Sequence, residues 1–343
     1  MLDPLSVSIP VSSVGPARNN WPKRELMTRS PDHPDDYVME LDYSSLSNFM
    51  ICPRKAENYS VKGRESCRDQ SAMTFGHLFH ALDAKRLIIG FTEEFARFKA
   101  DKIAEHFVSY PCSTSDHRNS EMMEKVMAQY EVRYKGDGLR EQLVYSDGAP
   151  LIERPFKVPL MTVAVNRRIK IGNIDVYVRN IHVIYTGRVD SALVQNGQYF
   201  VMDDKTSSRG GQEFEENFRL SLQTRGYCWA LQKLLGVPVA GLILNAVIVR
   251  VPTKTGKGTE YNRRTYFYNP DLIAEFEDNI KAHVSSFIQC LVNGFFPQVA
   301  LSFKSPCPSC DYHENCALPR HQRADDLASE LYRDVTWNPM HEH

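Results

Sequence analysis

Gly187-Arg-Val-Asp190-Ser-Ala-Leu-Val-Gln-Asn196-Gly197-Gln-Tyr-Phe-Val-Met-Asp203-Asp204-Lys205-Thr206 is the stretch from which the fold can be read. Asn-Gly has the residue types of a two-residue type I′ turn, whose central positions both need positive φ. The runs on either side, 189–194 and 199–202, carry the Val, Leu, Tyr and Phe that favour strands. The turn therefore predicts an antiparallel pair with Asp190 and Asp203 on neighbouring strands. Side chains alternate between faces along a strand, so Asp203 and Lys205 share one face and Asp204 points to the other.

Outward from this hairpin, 158–163, 174–178 and 182–185 read as further strands separated by turn residues. A second hairpin joins 241–251 to 264–268 around Lys254-Thr-Gly-Lys257-Gly. Upstream, Phe75, Phe79 and Leu82 fall at helical spacing within 74–108, and 120–134 reads as another helical segment. Ser44 or Ser45 is placed to cap a short helix carrying Leu46, Phe49 and Met50, before Pro53 breaks the register. Downstream, one helix is expected over 213–235, stopping at Gly236, and another over 270–290. Helices, a hairpin-built sheet and helices again make a mixed α/β (α+β) fold with a central mixed sheet flanked by helices. Residues 1–38 and 319–343 read as loosely held tails around a domain at 39–318. Its helical part covers 39–148 and its sheet core 149–295.

With 343 residues, 42% of them hydrophobic, the chain can bury a substantial core. Its net charge of -1 excludes a global basic field, so any nucleic-acid contact must come from local patches. The first residues lack the basic start and apolar run of a signal peptide. The longest apolar stretch, 236–251, is broken by Pro238, Gly241 and Asn245 and is too short to span a bilayer. A soluble cytoplasmic protein with reduced thiols and no membrane partner is expected.

Hydrolysing a phosphodiester means stabilising a charged transition state while delivering a water; a hard cation such as Mg²⁺ or Mn²⁺, held by carboxylates, does both. Asp190 and Asp203 can converge on one such ion, with the backbone carbonyl of Asp204 as a third ligand. Lys205 can orient water and offset phosphate charge. Asp-x-Lys alone is a common surface pair; its weight comes from Gly-Arg-Val-Asp190 across the hairpin. His77 and His80 lie on one helical turn, and an imidazole there could ligate Mn²⁺ or contact phosphate. Gln223 and Tyr227, at i,i+4, share a helix face, and Glu153 at the start of a strand could join the metal network. Basic residues gather at Arg167, Arg168 and Lys170 and at Lys254, Lys257, Arg263 and Arg264, the latter interleaved with Tyr261, Tyr266 and Tyr268. Such clusters are more often solvated turns, but a groove tracking single-stranded DNA needs this mixture.

Four cysteines are split, Cys52 near one end and Cys307-x2-Cys310-x5-Cys316 near the other. One plus three suggests a metal clasp joining both ends, for which Zn²⁺ is also a chemical candidate. Cys67, Cys112, Cys228 and Cys290 have no spacing partner and read as plain thiols.

From Asp42 to Cys316 these motifs, in this order, resemble the RecB-like branch of the PD-(D/E)XK nuclease superfamily. The likeness is to CRISPR-associated iron–sulfur exonucleases and AddB-type nuclease domains. Phe49-x-x-Cys52-Pro-Arg-Lys resembles the leading cysteine motif, and Gly76-His-Leu-Phe-His80 the Gly-x-x-x-His motif. Gly187-Arg-Val-Asp190 and Asp203-Asp-Lys205 resemble the acid motifs, and Gln223-x-x-x-Tyr227 the branch's helix signature. The resemblance implies a DNA exonuclease using Mg²⁺ or Mn²⁺, with Asp190, Asp203, Lys205, His80, Gln223 and Tyr227 at the active site. It favours His80 over His77, and a 4Fe–4S cluster on Cys52, Cys307, Cys310 and Cys316. Single-stranded DNA or a free end is the implied substrate, with a helicase or a CRISPR-adaptation protein as partner. Two departures stand out: the second acid is Asp203 where many relatives carry Glu, and Asp204 replaces a frequent aromatic. The rival readings are a processing subunit of a larger assembly and a catalytically silent, metal-stabilised DNA-binding module.

Overall fold

The computed structural model describes residues 25–67, 71–110, 117–171, 174–251, 258–299, 305–335 and 338. Two strands, β1 (Met27–Arg29) and β2 (Asp36–Asp42), lead into helices α1 (Tyr43–Ile51) and α2 (Pro53–Ala56) and a short strand β3 (Arg64–Ser66). A helical layer follows: α3 (Ser71–Ile89), α4 (Glu93–Ser109) and α5 (Ser120–Tyr134). After the small pair β4 (Tyr145–Ser146) and β5 (Ala149–Pro150) come the long strands β6 (Ile152–Ile171) and β7 (Ile174–Gln195), then β8 (Gln198–Ser207). Helices α6 (Gln212–Arg219) and α7 (Leu222–Leu235), strands β9 (Val239–Ile248) and β10 (Glu260–Phe267) and helix α8 (Pro270–Asn293) complete the core. The chain closes with α9 (His313–Ala317), α10 (Arg323–Leu327) and β11 (Tyr332–Asp334).

The main sheet is mixed, and its topology makes a fork. β6 runs along one edge of β7, from Ile152 opposite Ser191 to Ile171 opposite Ile174. The other edge of β7 is divided between two partners. β2 pairs parallel with 180–186, and β8 pairs antiparallel with 191–195. Residues 187–190 lie between them, at the point where the neighbour changes, which is where open sheets leave a crevice. β8 continues parallel to β9, and β9 antiparallel to β10.

One face of the sheet packs on α7 and α8, where Val183, Tyr185 and Val201 meet Trp229, Phe276 and Ile280. On the other face Phe200, Met202 and Ile243 meet Leu87, Leu139 and Leu143, and Val247 and Val249 meet Phe75, Phe79, Val126 and Tyr130 of α3 and α5. The helices supply apolar stripes to both faces, so both are covered.

The Asn-Gly hairpin is as read, with φ of 50° at Asn196 and 75° at Gly197, and α5 and the Gly236 stop also match. Other expectations need correction. The segments 174–178, 182–185 and 189–194 are one strand, because Asn180, in the first expected break, bonds Asp36 from within it rather than turning the chain. The helix expected over 213–235 is two, since Ser221 caps a new start by accepting from the Gln223 N–H. Residues 74–108 likewise form two helices, the second capped by Thr92. The cap of α1 is Asp42, accepting from the Ser45 N–H, rather than Ser44 or Ser45. Part of the expected N-terminal tail belongs to the sheet as β1 and β2. In the expected C-terminal tail, β11 pairs with β3, and Arg64 Nε donates to the Leu327 carbonyl at 2.7 Å.

Candidate active site

The β7–β8 ladder opens after the pair Ser191 and Met202, so Asp190 has no ladder partner on that edge. Its carboxylate Oδ2 takes the place of one, accepting from the Asp204 N–H at 2.8 Å. From α3, His80 brings Nδ1 to 3.3 Å from Asp190 Oδ2 and 3.7 Å from Glu153 Oε1. Glu153 lies on β6 beside Asp190 with a left-handed φ of 48°, an unfavourable backbone for a non-glycine residue. One ligand atom from each of His80, Glu153 and Asp190 lies within 4.8 Å of the others, and among the described residues no other such group of three occurs. Arg188 Nη1 lies 3.7 Å from Glu153 Oε2.

Asp203 is 1% exposed, and the Lys205 ammonium lies 2.7 Å from both of its oxygens. The ammonium also stands 5.8 Å from the centre of the Phe218 ring. From α7, Gln223 Nε2 donates to the Tyr227 hydroxyl at 3.1 Å. Burial, then the charges of Asp190 and Asp203, push the Tyr227 phenol well up, so it stays neutral beside them. Burial raises both aspartates, with Glu153 adding to it at Asp190 and Asp190 adding to it at Asp203, against the pull of His80 and Lys205. Burial opposes a charged His80, but Asp190 and Glu153 outweigh it and carry the imidazole up to about 10. Lys205 is raised against burial by Asp203 and Asp190, so it stays charged.

Two carboxylate oxygens and an imidazole nitrogen from three elements, with Asp203 adjoining, form a donor set that suits a divalent cation. Buried acids repelling one another are relieved by such an ion. The site thus unites His80, Asp190, Asp203, Lys205, Gln223 and Tyr227, and adds Glu153. Glu153, named from the sequence only as a candidate for the metal network, takes its place through a left-handed backbone that no sequence pattern announces. Arg188 lay within the Gly-Arg-Val-Asp motif but had no role assigned. Asp204 points away from Asp203, as alternation predicts, and its Oδ1 accepts from Asn245 Nδ2 at 2.6 Å.

The basic residues do not gather here. Arg263 is spent on Asp137, Tyr130 and Asn245 inside the molecule, against the groove contact expected of it. Arg264 lies 2.7 Å from Glu215. Arg167 donates to Asn293; it, Arg168 and Lys170 lie toward the far end of the β6–β7 hairpin, with Arg168 opposite Tyr177. Asp190 is thirteen positions further along β7, roughly 40 Å of strand. Lys254, Lys257 and Cys112 lie outside the described residues.

The cysteine-bearing ends do meet. The Arg54 N–H donates to the Pro297 carbonyl at 3.1 Å, and Asn58 Nδ2 to Asn315 Oδ1 at 3.5 Å. Cys310 and Cys316 pack with Tyr59, Tyr312 and Tyr332. Burial raises the Cys310 thiol, with Cys316 adding to that and Lys55, three residues from Cys52, opposing it. No three of the four sulfurs lie within 4.8 Å of one another. A tetrahedral zinc site would place them about 3.8 Å apart, given Zn–S bonds of ~2.3 Å.

No helix among the described residues is long and apolar enough to cross a membrane. A family model for the PD-(D/E)XK nuclease superfamily matches residues 40–317. Among solved structures, the chain is similar to one named "Putative exonuclease" from Eubacterium rectale, at 12% identity over 77% of this chain and 86% of that one, with a TM-score of 0.45. It is also similar to SSO0001, at 12% identity over 78% and 90% of the two chains, with a TM-score of 0.24. No curated protein matches the chain.

Proposed function

The chain belongs to the PD-(D/E)XK nuclease superfamily, and from that premise we propose that it is a divalent-cation-dependent DNA exonuclease that trims single-stranded ends. The observation that carries the reading is the convergence of His80, Glu153, Asp190, Asp203 and Lys205 where β7 changes partner. His80, Glu153, Asp190 and Asp203, with the Asp204 carbonyl, would hold Mg²⁺ or Mn²⁺. When bound, the cation polarises the phosphate and lowers the pKa of its water. Lys205, kept charged by Asp203, orients that water and offsets the charge that builds on phosphate. Tyr227, neutral and tied to Gln223, packs beside the two aspartates and limits water at the site.

Cys52, Cys307, Cys310 and Cys316 would hold a 4Fe–4S cluster that ties the ends of the domain together. The arrangement of one cysteine plus three, separated by the whole core, supports this over zinc, whose sites are usually built from two local pairs. The motif order supports placement in the RecB-like branch, near the CRISPR-associated and AddB-type nucleases. The sequence has no helicase motif, so unwinding of a duplex would fall to a helicase or adaptation partner. Arg167, Arg168 and Lys170, far along the β6–β7 hairpin, would meet DNA only at a distance from the cut.

Cleavage of linear and circular single strands, with Mn²⁺ and with chelator, tests the reading. Linear DNA should be degraded only with the ion, and the circle should survive. Asp190→Ala, Asp203→Ala and Lys205→Ala should each abolish cleavage while DNA binding persists. Cleavage by all three variants at the wild-type rate would remove the assignment.

A further inference from the structure

The sheet face that receives the Asp204 side chain is apolar on both flanks, with Phe200, Met202 and Ile243 to one side and Val247 and Val249 to the other. Between them lies a buried polar network that the chemistry above leaves unused. Asp204, Asn245 and Arg263 stand directly opposite one another in a row across β8, β9 and β10. Asn245 Nδ2 donates to Asp204 Oδ1 at 2.6 Å and to the Tyr130 hydroxyl at 2.7 Å. Arg263 donates to Asn245 Oδ1 at 3.3 Å and to Tyr130 at 3.2 Å. Arg86 joins Tyr130 to Asp83, at 3.2 and 2.7 Å. Asp83, Tyr130 and Asn245 are fully buried.

Such a network is a costly way to fill a core, because apolar residues of similar volume usually serve stability as well or better. Its end is what distinguishes it. It terminates on the Asp204 side chain, and the N–H of that same residue donates to Asp190. We propose that Asn245 is a positioning residue for the cation site. It grips the Asp204 carboxyl from the far side of the sheet and so holds the Asp204 peptide against Asp190, while Tyr130 and Arg263 fix its amide in the required orientation. The proposal rests on the reading of the fork as a cation site and deepens it: affinity for the ion is set partly from the α3–α5 layer. Groups that hold metal ligands in place typically change affinity by about 10- to 100-fold when removed.

Direct Mn²⁺ binding, followed by electron paramagnetic resonance, separates positioning from packing. Asn245→Leu strands a buried carboxyl and should weaken both fold and ion binding. The double variant Asp204→Leu with Asn245→Leu replaces the pair by apolar groups, so its melting temperature should recover toward wild type. Its Mn²⁺ affinity should nonetheless stay about ten-fold weaker. A folded double variant that binds Mn²⁺ like wild type would show that the network only fills space. Should the double variant not fold, Tyr130→Phe carries the test by deleting one oxygen: weaker Mn²⁺ binding supports the role, and unchanged affinity overturns it. A wild type whose Mn²⁺ binding is unaffected by Asp190→Ala would remove the cation-site reading itself, and this proposal with it.

Discussion

His80 is the residue on which the acid cluster acts most visibly. Its folded pKa of about 10 lies above the ordinary 6.5, so the folded chain holds the proton more tightly than the unfolded one. The stability this contributes is fully present below the ordinary value and is lost as pH rises toward the folded one. Thermal melts of cation-free protein should therefore fall across that window, and His80→Gln should flatten the decline. Ligation requires a neutral imidazole, so Mn²⁺ should bind more tightly as pH rises over the same range, with a shallower dependence in His80→Gln. An identical slope in the variant would mean that another group carries the titration.

At the scale of elements, the fork depends on how closely α7 approaches β7. A Cβ on Gly226 would lie 2.5 Å from the Tyr185 hydroxyl and 2.9 Å from the Phe276 ring, so this glycine permits a contact rather than a turn. Gly226→Ala should cost about 1–3 kcal/mol through overpacking, read from denaturant unfolding, and should shift Gln223 and Tyr227 from the site. Neutral stability would mean that the rings yield freely. Close approaches of this kind have no sequence signature, whereas the Asn196-Gly197 hairpin and the Asp203–Lys205 alternation do, because local turn chemistry and strand period fix both. The same rules failed on β7, where Asn180 fell in an expected break yet serves Asp36 within a continuous strand. Asn245 was obscured for a related reason: its role comes from partners far away in the chain. Arg263 looked like a surface cation until its buried acceptors were seen.

For the whole molecule, the tie between the ends is the feature most exposed to test. Cys52 is separated from the three other cysteines by the entire core, and metal binding across such a separation is folding energy. Cys52→Ser should lose iron and melt at lower temperature, whereas Cys67→Ser, at an exposed thiol, should keep both. Equal iron in the Cys52 variant and wild type would end the cluster assignment. Hydrolysis at the fork is tested by one comparison, digestion of end-labelled single-stranded DNA in Mn²⁺ by Asp203→Asn and Asp204→Asn. Asp203 faces Lys205 and the cation donors, so its amide should lower the rate by about 100-fold or more. Asp204 faces Asn245, and an amide there keeps the acceptor oxygen, so substantial cleavage should remain. An active Asp203→Asn beside a dead Asp204→Asn would mean that Asp203 does not serve hydrolysis at the fork.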